Sequence, residues 1–248
     1  MPLPRARPSD LSVCRLIHAL TVSGIVVGML ALLAVVDGAA RAAVLWLVLA
    51  QVIDGIDGPL ARRFHISTVI PRYSGFVLDV MIDYVTCVLV PVTFAWQFDL
   101  VPHNVAGGLT IAFVLTTSAM WFSRTDLMTD DHWFRGFPAG WNLVIPTLWL
   151  LDAPFEVTAV VLVALSVLSM SDVEFAHPMQ VVRHRPLSVT AMVVWLGAIV
   201  GLTIDAPREP NLFTAALLLA GPLWIVGQTA ARFVAGRSGL DGEPAAVT

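Results

Sequence analysis

The chain contains no lysine; all of its 14 basic residues are arginine. Charge is scarce altogether, with 13% charged residues against 57% hydrophobic ones. The mean hydropathy of +0.81 is far from that of a soluble domain. The formal net charge of −4 says little, because the charges are unevenly placed. There is no basic patch of the nucleic-acid type, so no nucleic-acid partner is expected. The only cysteines, Cys14 and Cys87, sit in apolar runs and form no CxxC. Packed thiols are expected there, not a disulfide or a metal pair. Neither a Walker loop nor a GxGxxG occurs, which removes two common glycine-rich phosphate cradles. No internal repeat, low-complexity tract or separate extramembrane domain is visible.

Long apolar runs are what the chain does have. A helix needs roughly 20 apolar residues to cross a bilayer. Runs of that kind lie near 13–36, 42–64, 74–97, 105–123, 137–151, 154–171, 187–204 and 211–233. The expected fold is therefore an all-α, polytopic transmembrane helical bundle of about eight spans. The fifth run is short and contains Pro146, so a tilted or broken helix is expected there. Residues 1–12 and 236–248 read as loose termini around a membrane domain at 13–235. With eight spans, Arg41 and Arg208 fall on one side and every other arginine on the opposite side. Basic residues favour the cytoplasmic face. Both termini, and the ends of the second and third spans, are accordingly expected in the cytoplasm.

That mouth carries a cluster of carboxylates. The stretch DGIDGPLARRFHISTVIPRYSGFVLDVMID runs from Asp54 to Asp83. It reads D-x-x-D-G-x-x-A-R, then 12 residues, then G-x-x-x-D-x-x-x-D. Carboxylates at membrane depth are costly and mark function by default. Four of them in one low-dielectric place cannot all stay ionised unaided. A divalent cation is the usual remedy, and aspartate oxygens suit Mg²⁺ or Mn²⁺. Helical spacing places Asp54, Asp57, Gly58 and Ala61 on one stripe, with Arg62 at its edge. Gly75, Asp79 and Asp83 share a stripe of the next helix. Antiparallel packing would let the stripes meet. Gly58, Ala61 and Gly75 remove bulk where something large must approach, and Arg62 offers a fork suited to phosphate. The bland alternative is that all four aspartates are only metal ligands, or that some pair with arginines.

This constellation resembles the signature of the CDP-alcohol phosphotransferase family. All eight signature residues are present: Asp54, Asp57, Gly58, Ala61, Arg62, Gly75, Asp79 and Asp83. The gap between Arg62 and Gly75 is longer than is usual for the family and is similar to the bacterial phosphatidylcholine synthase branch. HALTVSG, SRTDLMTDDHWFRGFPAGWN and EFAHPMQVVRHRP also look similar to that branch. The resemblance implies a core of six helices, a homodimer and a seat in the bacterial inner membrane. It also implies a reaction: CDP-diacylglycerol plus choline giving phosphatidylcholine plus CMP. Mn²⁺ or Mg²⁺ would be held by Asp54, Asp57, Asp79 and Asp83. Asp79 and Asp83 are the catalytic pair, with Asp83 as the base that the family resemblance assigns. Asp57, Gly58, Ala61, Arg62 and Gly75 would bind the nucleotide. Thr21, one turn beyond His18, joins them as a candidate contact to cytidine or phosphate, or as an interhelical hydrogen bond.

Choline cannot donate a hydrogen bond through its quaternary nitrogen. Its recognition uses aromatic faces and nearby carboxylates. Candidates are Tyr84, Trp121, Trp133 and Trp141, with Asp126, Asp130 and Asp131. Ordinary interfacial aromatics are the alternative reading of each. Asn142 is expected either to orient the alcohol or to satisfy a helix start. Arg183 and Arg185 read as a basic rim for anionic lipid. Rival acceptors are serine, glycerol phosphate and an inositol phosphate. A phosphorylated acceptor would want more basic residues than the acidic 126–131 loop offers. A cation transporter would need the aspartates but not Gly58, Ala61, Arg62 and Gly75.

Overall fold

A computed structural model describes residues 8–64, 73–181, 184–205 and 211–237. His65 and Arg183 lie outside them, as do residues 1–7 and 238–248 of the termini. The described residues form helices α1 (Pro8–Val36), α2 (Ala40–Arg63), α3 (Gly75–Gln97), α4 (Val105–Phe122), α5 (Trp141–Leu150), α6 (Phe155–Ser169), α7 (Arg185–Asp205) and α8 (Leu212–Arg237). Strands β1 (Trp133–Arg135) and β2 (Glu174–Ala176) pair antiparallel, with Phe134 opposite Phe175. The described residues are thus nearly all-α, with eight helices where eight apolar runs stand.

Six of these helices are long and apolar enough to cross a membrane. The other two, α5 and α6, have 10 and 15 residues. At 1.5 Å per residue they reach only about 15 and 22 Å, short of a hydrocarbon core of about 30 Å. Apolar side chains face outward as well as inward: Leu212 is 89% exposed and Val105 79%. An apolar exterior on helices of this length is what a multi-pass membrane protein presents to lipid.

The chain divides into two compact units, Met1–Ile111 with Gly140–Trp149, and Ala112–Ala139 with Leu150–Thr248. In the first, α1 packs on α2, where Cys14 and Ile17 meet Leu60 and Ala61. Neither Cys14 nor Cys87 is in a disulfide. Packing of α1 on α3 depends on small residues. A methyl added at Gly24 would stand 3.0 Å from the Ile82 side chain, and one at Gly28 would stand 2.9 Å from that of Thr86. Gly24-x-x-x-Gly28 is therefore the close-approach face that lets two membrane helices touch. Gly28→Leu is expected to destabilise this unit by about 1–3 kcal/mol through overpacking. The thermal midpoint of the purified protein measures this, and an unchanged midpoint would contradict the close packing.

Inside α3, Tyr84–Leu89 winds as a π-helix, immediately after Asp83. The wider turn shifts the face of every later residue relative to Asp79 and Asp83. Such bulges recur at functional sites. In α2, Pro59 lies inside the helix and removes the N–H that would reach Gly55. Buried Phe94 meets Trp149 edge to face at 5.6 Å, an arrangement aromatic pairs favour.

In the second unit, Gly136 has φ +80, and an added Cβ would strike the Ser169 carbonyl at 2.4 Å. Only glycine lets the chain leaving β1 pass so close to the end of α6. The Ser169 hydroxyl donates to the Phe137 carbonyl at 2.9 Å and closes the same corner.

Candidate active site

The site is built on α1, α2 and α3 within the first unit. Asp54 and Asp57 stand one turn apart on α2, and Asp79 and Asp83 one turn apart on α3. Asp57 is buried, whereas Asp54, Asp79 and Asp83 are half-buried. One carboxylate oxygen from each of Asp54, Asp57 and Asp79 lies within 4.8 Å of the other two. The three aspartates line a small cavity with Asp83, Thr21, Gly24 and Thr86. The two stripes expected from helical spacing do meet, and α1 closes the cavity from a third side. Thr21 donates at 3.3 Å to the Ile17 carbonyl and lines the cavity together with Asp57. Nearby, the His18 ring stands edge-on to Tyr73 at 6.4 Å.

Four hard carboxylates in a half-buried cavity are a donor set for Mg²⁺ or Mn²⁺. Ligands about 2.1 Å from such an ion stand roughly 3–4 Å apart. The 4.8 Å grouping of Asp54, Asp57 and Asp79 needs only small side-chain adjustments to reach that spacing. The residues present therefore fit a divalent cation.

The nucleotide candidates surround this cluster in sequence and on the helix surface. A methyl added at Gly58 would lie 3.4 Å from the Arg62 guanidinium, so the arginine fork lies across Gly58. Ala61 packs against Cys14 and Ile17 on α1. Among the described residues an added methyl at Gly75 would meet nothing within 4 Å, so packing against them does not explain that glycine. Ser74 caps the helix behind it, its hydroxyl accepting from the Val77 N–H at 3.3 Å.

The aromatic and acidic candidates for choline divide between the two units. Tyr84 and Trp141 belong to the unit of the aspartates, Tyr84 half-buried beside Asp83 and Trp141 fully buried. Trp121, Trp133, Asp130 and Asp131 belong to the second unit. There the indole N–H of Trp121 donates to the Arg135 carbonyl at 2.8 Å. Trp133 already carries a cation, with the Arg232 guanidinium 4.6 Å above its ring. Arg232 also pairs with Asp131 at 2.6 Å and with Glu174. Arg124 grips Asp126 through two bonds of 3.0 Å and reaches Asp172 at 3.0 Å. Much of the acidity read in this loop is thus neutralised by the protein's own arginines. Arg124 holds the Asp126 carboxyl below the usual carboxylate range. At Asp131 partial burial pushes the carboxyl up, but Thr129 and Arg232 outweigh it and the net shift is downward. Both contacts are therefore present above the ordinary carboxylate pKa and are lost only as pH falls through the lowered values. Asp130 is exposed.

Two polar residues that the motif does not name lie against the cluster. Gln51, one turn before Asp54, donates to its Oδ2 at 3.2 Å. Asn142 on α5 donates in turn to Gln51 Oε1 at 2.7 Å. The position of Gln51, three residues before Asp54 on a helix, was the signal available in the sequence.

Aspartates from two helices, an arginine fork and a small-residue surface are the groups a membrane phosphotransferase site would need. Residues 15–171 match the model of the CDP-alcohol phosphatidyltransferase family, and the chain belongs to that family. It is 35% identical over 211 residues to a phosphatidylcholine synthase of Pseudomonas aeruginosa, covering 85% of this chain and 88% of that protein. It is 36% identical over 225 residues to a phosphatidylcholine synthase of Bradyrhizobium diazoefficiens, covering 90% and 82%. A phosphatidylcholine synthase of Brucella melitensis is 37% identical over 194 residues, covering 77% and 70%.

Proposed function

We propose that the chain transfers the phosphatidyl group of CDP-diacylglycerol to choline, giving phosphatidylcholine and CMP. The observation that carries this reading is the convergence of Asp54, Asp57 and Asp79 within 4.8 Å on the complete eight-residue signature. The names of relatives matched over most of both chains support choline as the acceptor.

In this reading Asp83 stands at the edge of the cavity, and Asp54, Asp57 and Asp79 hold the divalent cation. When bound, it neutralises the diphosphate oxygens and polarises the phosphorus under attack. Arg62, lying across Gly58, takes part of the charge on the departing CMP. Ala61, Gly75 and Thr21 complete the nucleotide surface. The choline hydroxyl attacks the phosphorus that carries diacylglycerol. Its proton passes to Asp83, and the bond from that phosphorus to the CMP oxygen breaks. Asp79, one turn from Asp83, would serve as a cation ligand next to the base. The distribution of arginines supports a cytoplasm-facing site in a bacterial inner membrane, with both termini on the same side. We place a homodimer within the same proposal.

Trp121, Trp133, Asp130 and Asp131 belong to the second unit, whereas Tyr84 and Trp141, in the unit of the aspartates, remain the proposed surroundings of the acceptor. Tyr84 follows Asp83 directly and is half-buried, so its ring is the foremost of them. Tyr84→Leu is expected to raise the choline KM by an amount equivalent to ~0.5–2 kcal/mol, with the KM for CDP-diacylglycerol little changed. Trp133→Leu makes the comparison, because its ring already holds Arg232. Equal KM values for wild type and Tyr84→Leu would remove Tyr84 from the choline site. Purified protein offered choline, serine, glycerol phosphate and inositol phosphate, scored by CMP release and lipid product, tests the acceptor assignment itself.

A further inference from the structure

We infer that Gln51 and Asn142 form a positioning relay that fixes one oxygen of Asp54 and so sets the geometry of the proposed cation site. This rests on the metal reading of the carboxylate cluster. Neither residue belongs to the eight-residue signature, and Asn142 lies far along the chain on a different helix.

The relay has one consistent orientation. An ionised carboxylate only accepts hydrogen bonds, so Gln51 must present its Nε2 amide to Asp54. Its Oε1 then points back and needs a donor. Asn142 supplies one through Nδ2, at 2.7 Å. The Gln51 bond to Asp54 Oδ2 is 3.2 Å. Turning either amide round would set oxygen against oxygen. In this arrangement Gln51 turns its oxygen toward Asn142 and its amide N–H toward Asp54, so it meets the carboxylate as a donor.

A second observation sets Asn142 apart from an ordinary packed residue. It is 1% exposed, and its Oδ1 has no hydrogen-bond partner among the described residues. An unpaired buried acceptor is costly. An apolar residue of the same shape would avoid that cost, so the packing of α5 alone does not call for asparagine. The Nδ2 group held toward Gln51 does. The effect on Asp54 is to tie down Oδ2 and leave Oδ1 for a ligand. Partners one shell out from a metal commonly set affinity in this way, and their loss typically lowers it 10- to 100-fold.

The test uses the purified full chain in detergent, with Mn²⁺ binding read from the electron paramagnetic resonance signal of the free ion, independently of turnover. Gln51→Met removes the donor at near-constant volume. Asn142→Leu removes the Gln51 anchor. Asn142→Asp offers Gln51 only acceptor oxygens and so turns its amide round. Each is expected to weaken Mn²⁺ binding by about tenfold or more. Because Asn142 acts through Gln51, the double variant Gln51→Met/Asn142→Leu should bind Mn²⁺ no more weakly than Gln51→Met alone. Wild-type Mn²⁺ affinity in Gln51→Met overturns the relay, as does an additive loss in the double variant. Should Asn142→Leu fail to fold, Gln51→Met and Asn142→Asp still decide the matter. Wild-type protein that releases CMP but shows no saturable Mn²⁺ binding overturns the metal reading itself, a result distinguishable from failure of the relay alone.

Discussion

Asp54→Asn, Asp57→Asn and Asp79→Asn are each expected to cut CMP release by at least about 10²–10³-fold, the scale on which losing a principal charge-stabilising group acts. These three residues supply the oxygens that lie within 4.8 Å of one another. Asparagine keeps the shape and one oxygen but removes the charge that holds a divalent ion. The fold should survive, because a neutral amide at membrane depth costs less than a carboxylate without a cation. Thermal midpoints near that of wild type, beside lost turnover, are the expected pair of results. Turnover that persists after exhaustive chelation would rule out a cation-dependent site.

Asp83→Asn should separate binding from chemistry. Asp83 lines the same cavity but is not one of the three that cluster within 4.8 Å. In the proposed mechanism its task is to accept the choline proton. Turnover should therefore fall by about 10²–10⁴-fold, the usual worth of a positioned base. Affinity for CDP-diacylglycerol should stay close to that of wild type, held by Arg62, Gly58 and Gly75. Nucleotide-lipid binding measured beside turnover checks this. If both fall together, Asp83 is a binding ligand and the base lies elsewhere.

The helices were legible because apolar runs of membrane length leave few alternatives. The run near 42–64 became Ala40–Arg63, and the run near 105–123 became Val105–Phe122. The meeting of Asp54 and Asp57 with Asp79 was legible for a related reason. Residues three or four apart must share a helix face, and a buried carboxylate stripe must find compensation.

Other features left no local trace. β1 and β2 have three residues each and pair across about 40 positions of chain, too short for an alternating pattern to register. The π-helical turn after Asp83 depends on how α3 packs, and YVTCVL reads like any apolar helix segment. The arginine partners of segment 121–142 were not legible either: the structure sets Arg232, from α8, over Trp133 and against Asp131. An arginine a hundred positions away cannot be assigned to an acidic loop by composition. Asn142 is similar: its partner Gln51 is 91 positions distant, and only the folded chain joins them.

The most direct measurement is a product analysis on the purified protein in lipid nanodiscs. It would be supplied with CDP-diacylglycerol, Mn²⁺ and choline, with CMP and phosphatidylcholine quantified together. The account predicts one phosphatidylcholine for each CMP released, no release without choline or after chelation, and none from Asp57→Asn. CMP release that proceeds equally without choline would contradict it, as would phosphatidylserine or a phosphoglycerol lipid formed at comparable efficiency when those acceptors are offered.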